Sequence, residues 1–404
     1  GDNFNKQKVI KGLPGKYAIG HNRYSTTGDT SLRNIQPFFA DTNTGGIGVA
    51  HNGNLTNAIT LRKKLVEDGA IFHTTSDTET IVQLVAKSKR NKIIDKIIDA
   101  LFQIQGGYAL VMLTQNILIG VRDPFGIRPL VIGKVKDSYV FASETCALDI
   151  IGAKYIRDVE NGEIVCIENG KLQSLKPFPA KKIRPCVFEY IYFSRPDSVL
   201  NGECAYEYRK RLGVELAKES NIDADVVVPV PDSGNAAAIG YSKHSGINFE
   251  LGIIRNHYVG RTFIMPEQAM RKDSVRKKLN TIETEFAGKT VLIVDDSVVR
   301  GNTSRRIVRM ARDAGAKKVF VASAAPAVRY PNVYGIDMPV ASELIAHGKS
   351  DEAVGRAIGS DWLIYQDLED LVASASEGNQ EIEHFECSVF DGNYVTDDID
   401  ADYL

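Results

Sequence analysis

The apolar positions of this chain follow two rhythms, and the change from one to the other divides it. Before residue 171 they form short alternating runs, among them Val111–Leu113, Ile117–Val121, Leu130–Ile132 and Tyr139–Ala142, separated by turn residues. A period of two predicts strands with one face on a core, here the sheets of an αββα sandwich. After residue 184 continuous β-branched runs such as Asp225–Val230 and Val291–Val294 alternate with helical patterns. That alternation predicts a parallel sheet whose strands are buried on both faces. Between them, Lys171 to Arg184 brings two prolines, several cations and no period, which predicts a boundary. The chain thus divides into residues 1–180, 181–345 and a C-terminal helical segment with an acidic tail, 346–404, in which Ser350 to Ala373 is predicted to be one helix holding Trp362 and Leu363.

The second rhythm also locates chemistry. After the strand at 291–294, Thr303 to Ala314 is predicted to be helical, with Ile307, Val308 and Met310 at helical spacing and Gly315 as its C′ residue, and Ala316 to Ala325 is the next strand. In such a βαβ unit ligands sit beyond the carboxyl ends of the strands, so Asp295 and Asp296 face a crevice beside Ser297 to Ser304. Gly301 lets backbone approach an anion, Thr303 and Ser304 supply hydroxyls, and the helix start supplies positive dipole. Adjacent carboxylates suit vicinal ribose hydroxyls, directly or through Mg²⁺. The sum is a ribose 5-phosphate site. A second strand end, Pro231-Asp232-Ser233-Gly234 before the small-residue helix Asn235 to Tyr241, is by itself equally a turn and helix cap.

Between these loops Arg255 to Leu279 concentrates Arg255, Arg261, Arg271, Lys272, Arg276, Lys277 and Lys278. A solvated basic face or a nucleic-acid patch is the ordinary origin of such a run, but Phe263 to Pro266 interrupt it and no amphipathic helix is sustained. A loop folding over a phosphorylated substrate accounts for both halves of its composition. In the first half, Ser76 and Glu79 form a capping-box pattern before the helix Thr80 to Val85, and Asn52-Gly53 has the form of a hairpin turn. His21 and His51 lie in β patterns and receive no role.

Residues 291–304, VLIVDDSVVRGNTS, resemble the 5-phosphoribosyl 1-pyrophosphate (PRPP) loop of type I phosphoribosyltransferases. Tyr17 to Gly28 (YAIGHNRYSTTG), Ala50 to Asn54 (AHNGN) and Ser76 to Glu79 (SDTE) resemble, in order, the pocket motifs of N-terminal-nucleophile glutaminases. Together they are similar to the glutamine PRPP amidotransferases, over nearly the whole chain. The resemblance implies an N-terminal-nucleophile sandwich truncated at its start, followed by a type I phosphoribosyltransferase domain. It implies that ammonia from glutamine passes to C1 of PRPP, giving 5-phosphoribosylamine at the entry to purine synthesis. In the first domain it assigns Arg23 to the glutamine α-carboxylate, Asp77 to the α-ammonium, and Asn52 with the Gly53 N–H to the oxyanion hole. In the second it assigns Asp295, Asp296, Ser297, Arg300, Gly301, Asn302, Thr303 and Ser304 to PRPP, and Ser233, Asp295 and Asp296 to Mg²⁺. Tyr258 and Ile264 would help line an ammonia channel, and purine nucleotides would act as feedback inhibitors of a homo-oligomer.

The family nucleophile is an N-terminal cysteine, whereas the first residue here is Gly1 and no cysteine precedes Cys146. The expectation is a fragment entering the pattern partway, active with ammonia only, rather than a degenerate enzyme. Some relatives carry a [4Fe-4S] cluster. Here Cys186 precedes Val187-Phe188-Glu189-Tyr190, but Asn332 precedes Val333 to Asp337, and Glu386 and Val389 stand at the late cysteine pair. No iron–sulfur cluster is therefore expected.

With 404 residues, 43% hydrophobic, 25% charged and a net charge of -2, the composition is that of an ordinary globular chain without a basic balance for nucleic acid. No apolar segment reaches membrane-spanning length, no targeting signal is visible, and five cysteines without metal-ligand spacing suit a reducing cytoplasm. A PRPP-binding regulator would not need Arg23, Asn52 and Asp77, and another glutaminase-coupled synthetase would not need residues 291–304.

Overall fold

Two units, Gly1–Pro185 with Val333–Asp337 and Cys186–Asn332 with Met338–Leu404, make up the chain. The computed structural model describes residues 11–13, 15–22, 32–256, 279–338 and 340–400. Among them no helix is long and apolar enough to cross a membrane.

The strands of the first unit, in chain order, are β1 (Phe38–Thr42), β2 (Gly45–Leu55), β3 (Gly106–Leu113), β4 (Ile117–Arg122), β5 (Val131–Val135), β6 (Ser138–Ala142), β7 (Lys154–Asp158), β8 (Ile164–Glu168) and β9 (Lys171–Leu175). An antiparallel sheet runs β1-β2-β3-β4-β8-β9 and a second runs β6-β5-β7. Successive residues of a strand face opposite ways, and the burial follows that rule. Leu110, Met112, Ile119, Val121, Ile164 and Cys166 pack with Ile81, Val85, Ile97 and Leu101 of the helices Thr78–Lys87 and Ile93–Leu101. One residue out of phase, Ala109, Leu118, Val165 and Ile167 pack with Ile132 and its neighbours Leu130 and Val159. Leu148 of the helix Thr145–Ile150 closes the far side against Val131 and Ala153. The layers are helix, sheet, sheet and helix, as the period of two predicts.

In the second unit two short antiparallel ribbons, β10 (Val199–Leu200) with β11 (Glu203–Cys204) and β13 (Ile253–Arg255) with β14 (Leu279–Thr281), accompany a parallel sheet. That sheet is β12 (Val226–Pro229), β15 (Thr290–Asp295), β16 (Lys318–Ser323) and β17 (Trp362–Tyr365), in that order. The helix Asn302–Asp313 crosses between β15 and β16, burying Ile307, Val308 and Ala311. Val226, Val228, Val291, Ile293, Val319 and Val321 share its core, while Val227, Leu292 and Val294 on the opposite face are as fully buried.

Three expectations change. Residues 350–373 are not one helix: Asp351–Ile358 ends at Gly359 with φ 83°, β17 follows, and a second helix is Leu368–Glu377. Gly359 stops the first helix in a left-handed C-cap, and the polar Ser360-Asp361 pair turns the chain so that Trp362–Tyr365 completes the sheet. The start of the aperiodic stretch, Lys171–Leu175, is edge strand β9 beside β8, because backbone pairing does not require a hydrophobic period at an edge. Asn52-Gly53 is no hairpin turn; both residues continue β2, opposite Ala109 and Tyr108 of β3.

Helix Ala205–Glu219 meets helix Asn235–Ser245 at glycine contacts, where a Cβ on Gly213 would lie 1.8 Å from Ala237 O and one on Gly240 1.9 Å from Lys210 O. A methyl group must push the backbones apart, so Gly213→Ala should destabilise the second unit by about 1–3 kcal/mol or more. Chemical denaturation with an unchanged midpoint would contradict this close approach.

Candidate functional site

In the first unit the chemistry gathers on the end of β2 and the start of the helix Thr78–Lys87. Gly53 has φ 144°, and a Cβ there would fall 2.0 Å from Gly107 O and 2.9 Å from His51 Nε2. Only glycine fits such a backbone so close to its neighbour strand. The next residue, Asn54, donates from Nδ2 to Val333 O at 2.9 Å. Asp77 Oδ2 accepts the Leu55 N–H at 2.9 Å and lies 3.5 Å from His51 Nδ1, which is also 3.2 Å from Thr78 Oγ1. Burial opposes ionisation of Asp77, but the His51 imidazole and the N–H groups of Leu55 and Thr78 outweigh it and hold the carboxyl below its usual range. A buried carboxylate that stays ionised is suited to a cationic group.

The capping-box pattern does not form the predicted reciprocal pair. Glu79 accepts the N–H groups of His73 and Thr74 (2.8 and 2.7 Å) and the Thr74 hydroxyl, while Ser76 Oγ accepts from Thr78 N–H at 3.3 Å. The loop before the helix, Ile71 to Ser76, curls close enough for Glu79 to tie it rather than Ser76. His51 and Arg128 are partners that the sequence does not single out. The side chain of His51 is buried and its Nε2 has no hydrogen-bond partner among the described residues. Arg128 is fully buried, and its Nη2 donates to Asn52 Oδ1 at 3.3 Å. A signal for Arg128 does exist in Arg122 to Leu130, RDPFGIRPL, where two arginines flank an Asp-Pro turn between apolar strands. Arg23 lies outside the described residues.

In the second unit the site lies where β12 and β15 end. Pairing of Pro229 with Val294 sets their loops side by side, and Gly234 packs so closely that a Cβ would lie 2.5 Å from Val294 O. Ser233 Oγ then reaches Asp296 Oδ1 at 2.7 Å, and Ser297 Oγ donates to Asp296 Oδ2 at 3.0 Å. The Asp296 N–H donates to Asp295 Oδ1 at 3.0 Å. Both acids are buried. Burial, the neighbouring Asp296 charge and a hydrogen bond shared with that carboxyl push Asp295 well above the usual carboxylate range. Gly301, at φ 71°, caps the helix Asn302–Asp313, whose first turn holds Asn302, Thr303 and Ser304. Its first N–H groups have no intrahelical acceptor and lie in the positive end of the helix dipole. Arg300 turns instead to Glu343, Nε to Oε2 at 2.9 Å.

Beside the Ser233 loop, Arg255 pairs with Asp232 at 2.8 Å and stands opposite Leu279 in the β13–β14 ribbon. Tyr258 and Ile264 lie outside the described residues. Elsewhere in this unit Cys186 forms a parallel bridge with Glu386. Burial raises the Glu386 carboxyl, although Ser388 donates to it.

Comparison with known proteins gives consistent relatives. A family profile described as a glutamine amidotransferase domain matches residues 21–149. The amidophosphoribosyltransferase of Rhizobium etli is 48% identical over 98% of this chain and 82% of its own. That of Pseudomonas aeruginosa is 47% identical over 99% of this chain and 84% of its own. Among solved structures, the B. subtilis glutamine PRPP amidotransferase complexed with ADP and GMP superposes with a TM-score of 0.87 at 43% identity, covering 94% of this chain and 83% of that one.

The raised Asp295 carboxyl has a consequence for stability. The unfolded chain releases this proton first, so the group lowers stability as pH climbs through the usual carboxylate range toward the raised value. Asp295→Asn should therefore raise the melting temperature of the second unit near neutral pH by about 2–4 °C, the response to roughly 1 kcal/mol. The gain should disappear near pH 3, where the carboxyl is protonated in both states. A variant less stable at neutral pH would contradict the account of the acid pair.

Proposed function

Because this chain belongs to the amidophosphoribosyltransferase family, we infer that it transfers ammonia drawn from glutamine to C1 of PRPP, giving 5-phosphoribosylamine, glutamate and pyrophosphate in the first step of purine biosynthesis. The observation that carries this reading is the buried acid pair at the end of β15, tied to Ser233 and followed at once by a glycine-capped helix start. The 5-phosphate sits on the N–H groups and hydroxyls of Asn302, Thr303 and Ser304, beside Ser297, Arg300 and Gly301. Asp295 and Asp296 accept hydrogen bonds from the ribose hydroxyls and so aim C1 at the incoming nitrogen. As the nitrogen bonds to C1, the bond to the pyrophosphate oxygen breaks. Positioning of the two reactants supplies much of the acceleration.

Ser233, Asp295 and Asp296 offer a hydroxyl and two carboxylates, all hard oxygen donors, and Asp295 resists ionisation until a cation is near. This donor set fits Mg²⁺, which binds through one or two carboxylates together with water and phosphate oxygens. When bound, the ion neutralises the departing pyrophosphate. In the first unit Arg23 and Asp77 take the two charged ends of glutamine, and Asn52 with the Gly53 N–H faces the tetrahedral oxygen. Family membership also carries the expectation of a cytoplasmic homo-oligomer restrained by purine nucleotides, in line with the ADP and GMP of the B. subtilis relative. At the positions where some relatives hold a cluster this chain has Asn332, Glu386 and Val389 beside Cys186, and we expect no iron.

Given PRPP, Mg²⁺ and ammonium salt at a pH above neutral, the chain should release pyrophosphate. Replacing Asp295 and Asp296 by Asn should slow the ammonia reaction by about 10²-fold or more. Normal rates in that double variant would overturn the site assignment.

A further inference from the structure

We propose that Arg128 is the positioning residue that decides which way the Asn52 amide faces, fixing Asn52 Nδ2 as the donor to the oxygen of glutamine cleavage. The inference rests on the oxyanion role given to Asn52 above. Arg128 is wholly buried and its Nη2 lies 3.3 Å from Asn52 Oδ1. A guanidinium has donors and no acceptor, whereas the carboxamide has an acceptor at one corner and two donors at the other. Only one orientation of Asn52 is therefore attractive. With Oδ1 held by Arg128, Nδ2 points away from the guanidinium; the flipped amide of the half-buried Asn52 would set N–H against N–H. The charge behind Oδ1 also polarises the amide and strengthens its N–H as a donor.

Both ends of this contact are fixed independently. Asn52 is held in β2 by pairing with Ala109. Arg128 ends a turn built around Asp123, whose carboxylate accepts the N–H groups of Phe125, Ile127 and Arg128, each at 3.0 Å. The Arg122 guanidinium donates to the carbonyls of Gly126 and Arg128 (2.9 Å each) and of Val159 (3.0 Å). With the Arg128 backbone so anchored, the side chain has a defined starting point from which to reach Asn52. The network has a cost, because two arginines and an aspartate are buried for it, and a residue serving packing alone would not need a charge at this place.

The test uses the protein in a form that opens with the family's N-terminal cysteine. Arg128→Met should lower kcat for glutamate release at least about 10-fold and by no more than the ~10²–10³-fold loss of an oxyanion donor. KM for glutamine should stay within about threefold, because ground-state contacts are untouched, and the ammonia-dependent reaction with PRPP should be unaffected. Arg128→Lys, which keeps a charged donor, should recover part of the rate. Since Arg128 acts through Asn52, the double variant Arg128→Met with Asn52→Ala should be no slower than Asn52→Ala alone.

If Asn52→Ala itself hydrolyses glutamine at a normal rate, the oxyanion assignment falls. If Asn52→Ala is slow while Arg128→Met is normal, or the two losses multiply, the role of Arg128 alone is overturned. Should Arg128→Met fail to fold, a neutron crystal structure of the unaltered protein with bound glutamate, in which the amide deuterons are seen directly, decides the matter. Asn52 Oδ1 facing Arg128 and Nδ2 facing the ligand supports the proposal, and any other orientation overturns it.

Discussion

The parallel pairing of β12 with β15 is the constraint on which the second unit depends. With Pro229 opposite Val294, both strands end at the same level, and the loops leaving them have only one crevice to enter. Ser233 meets Asp296 there although 63 residues separate them in sequence. The same register makes Gly234 obligatory, since any side chain would strike Val294 O. A slip of one residue would turn every side chain of a strand to the opposite face and separate these loops. Fold and site therefore share one set of backbone hydrogen bonds.

Two buried acids, Asp77 of the first unit and Asp295 of the second, are perturbed in opposite directions. Asp77 is held ionised by His51 and backbone N–H groups, which prepares it for a cationic partner without further change. Asp295 resists ionisation because it is buried and because Asp296, another acid, lies beside it.

Buried arginines give the first unit a similar rigidity. Arg122, Asp123 and Arg128 turn a surface-like sequence into a fixed platform beneath β2 and β3. The strand that carries Asn52 and Gly53 is thus supported on one side by Ala109 and Tyr108 in the sheet and on the other by the anchored Arg128 side chain. Glycine at Gly53 and Gly106 allows the close backbone approach that no larger residue permits.

Local pattern alone determined the strand at 290–295, the helix after it to within one residue, the sandwich layers of the first unit and the acid pair at a strand end. Those features depend on periodicity and on turn chemistry, which neighbours in sequence set. Tertiary structure decided what depends on distant neighbours. Trp362–Tyr365 became a strand because an open edge beside β16 was available to pair with it. Asn52-Gly53 stayed extended because β3 lies against it, and Glu79 tied His73 and Thr74 rather than serving Ser76. The partners of His51 and Arg128, Asp77 and Asn52, were illegible for the same reason. A polar residue in an apolar pattern reveals that it must find a partner, but only the packed chain fixes which partner and with what orientation.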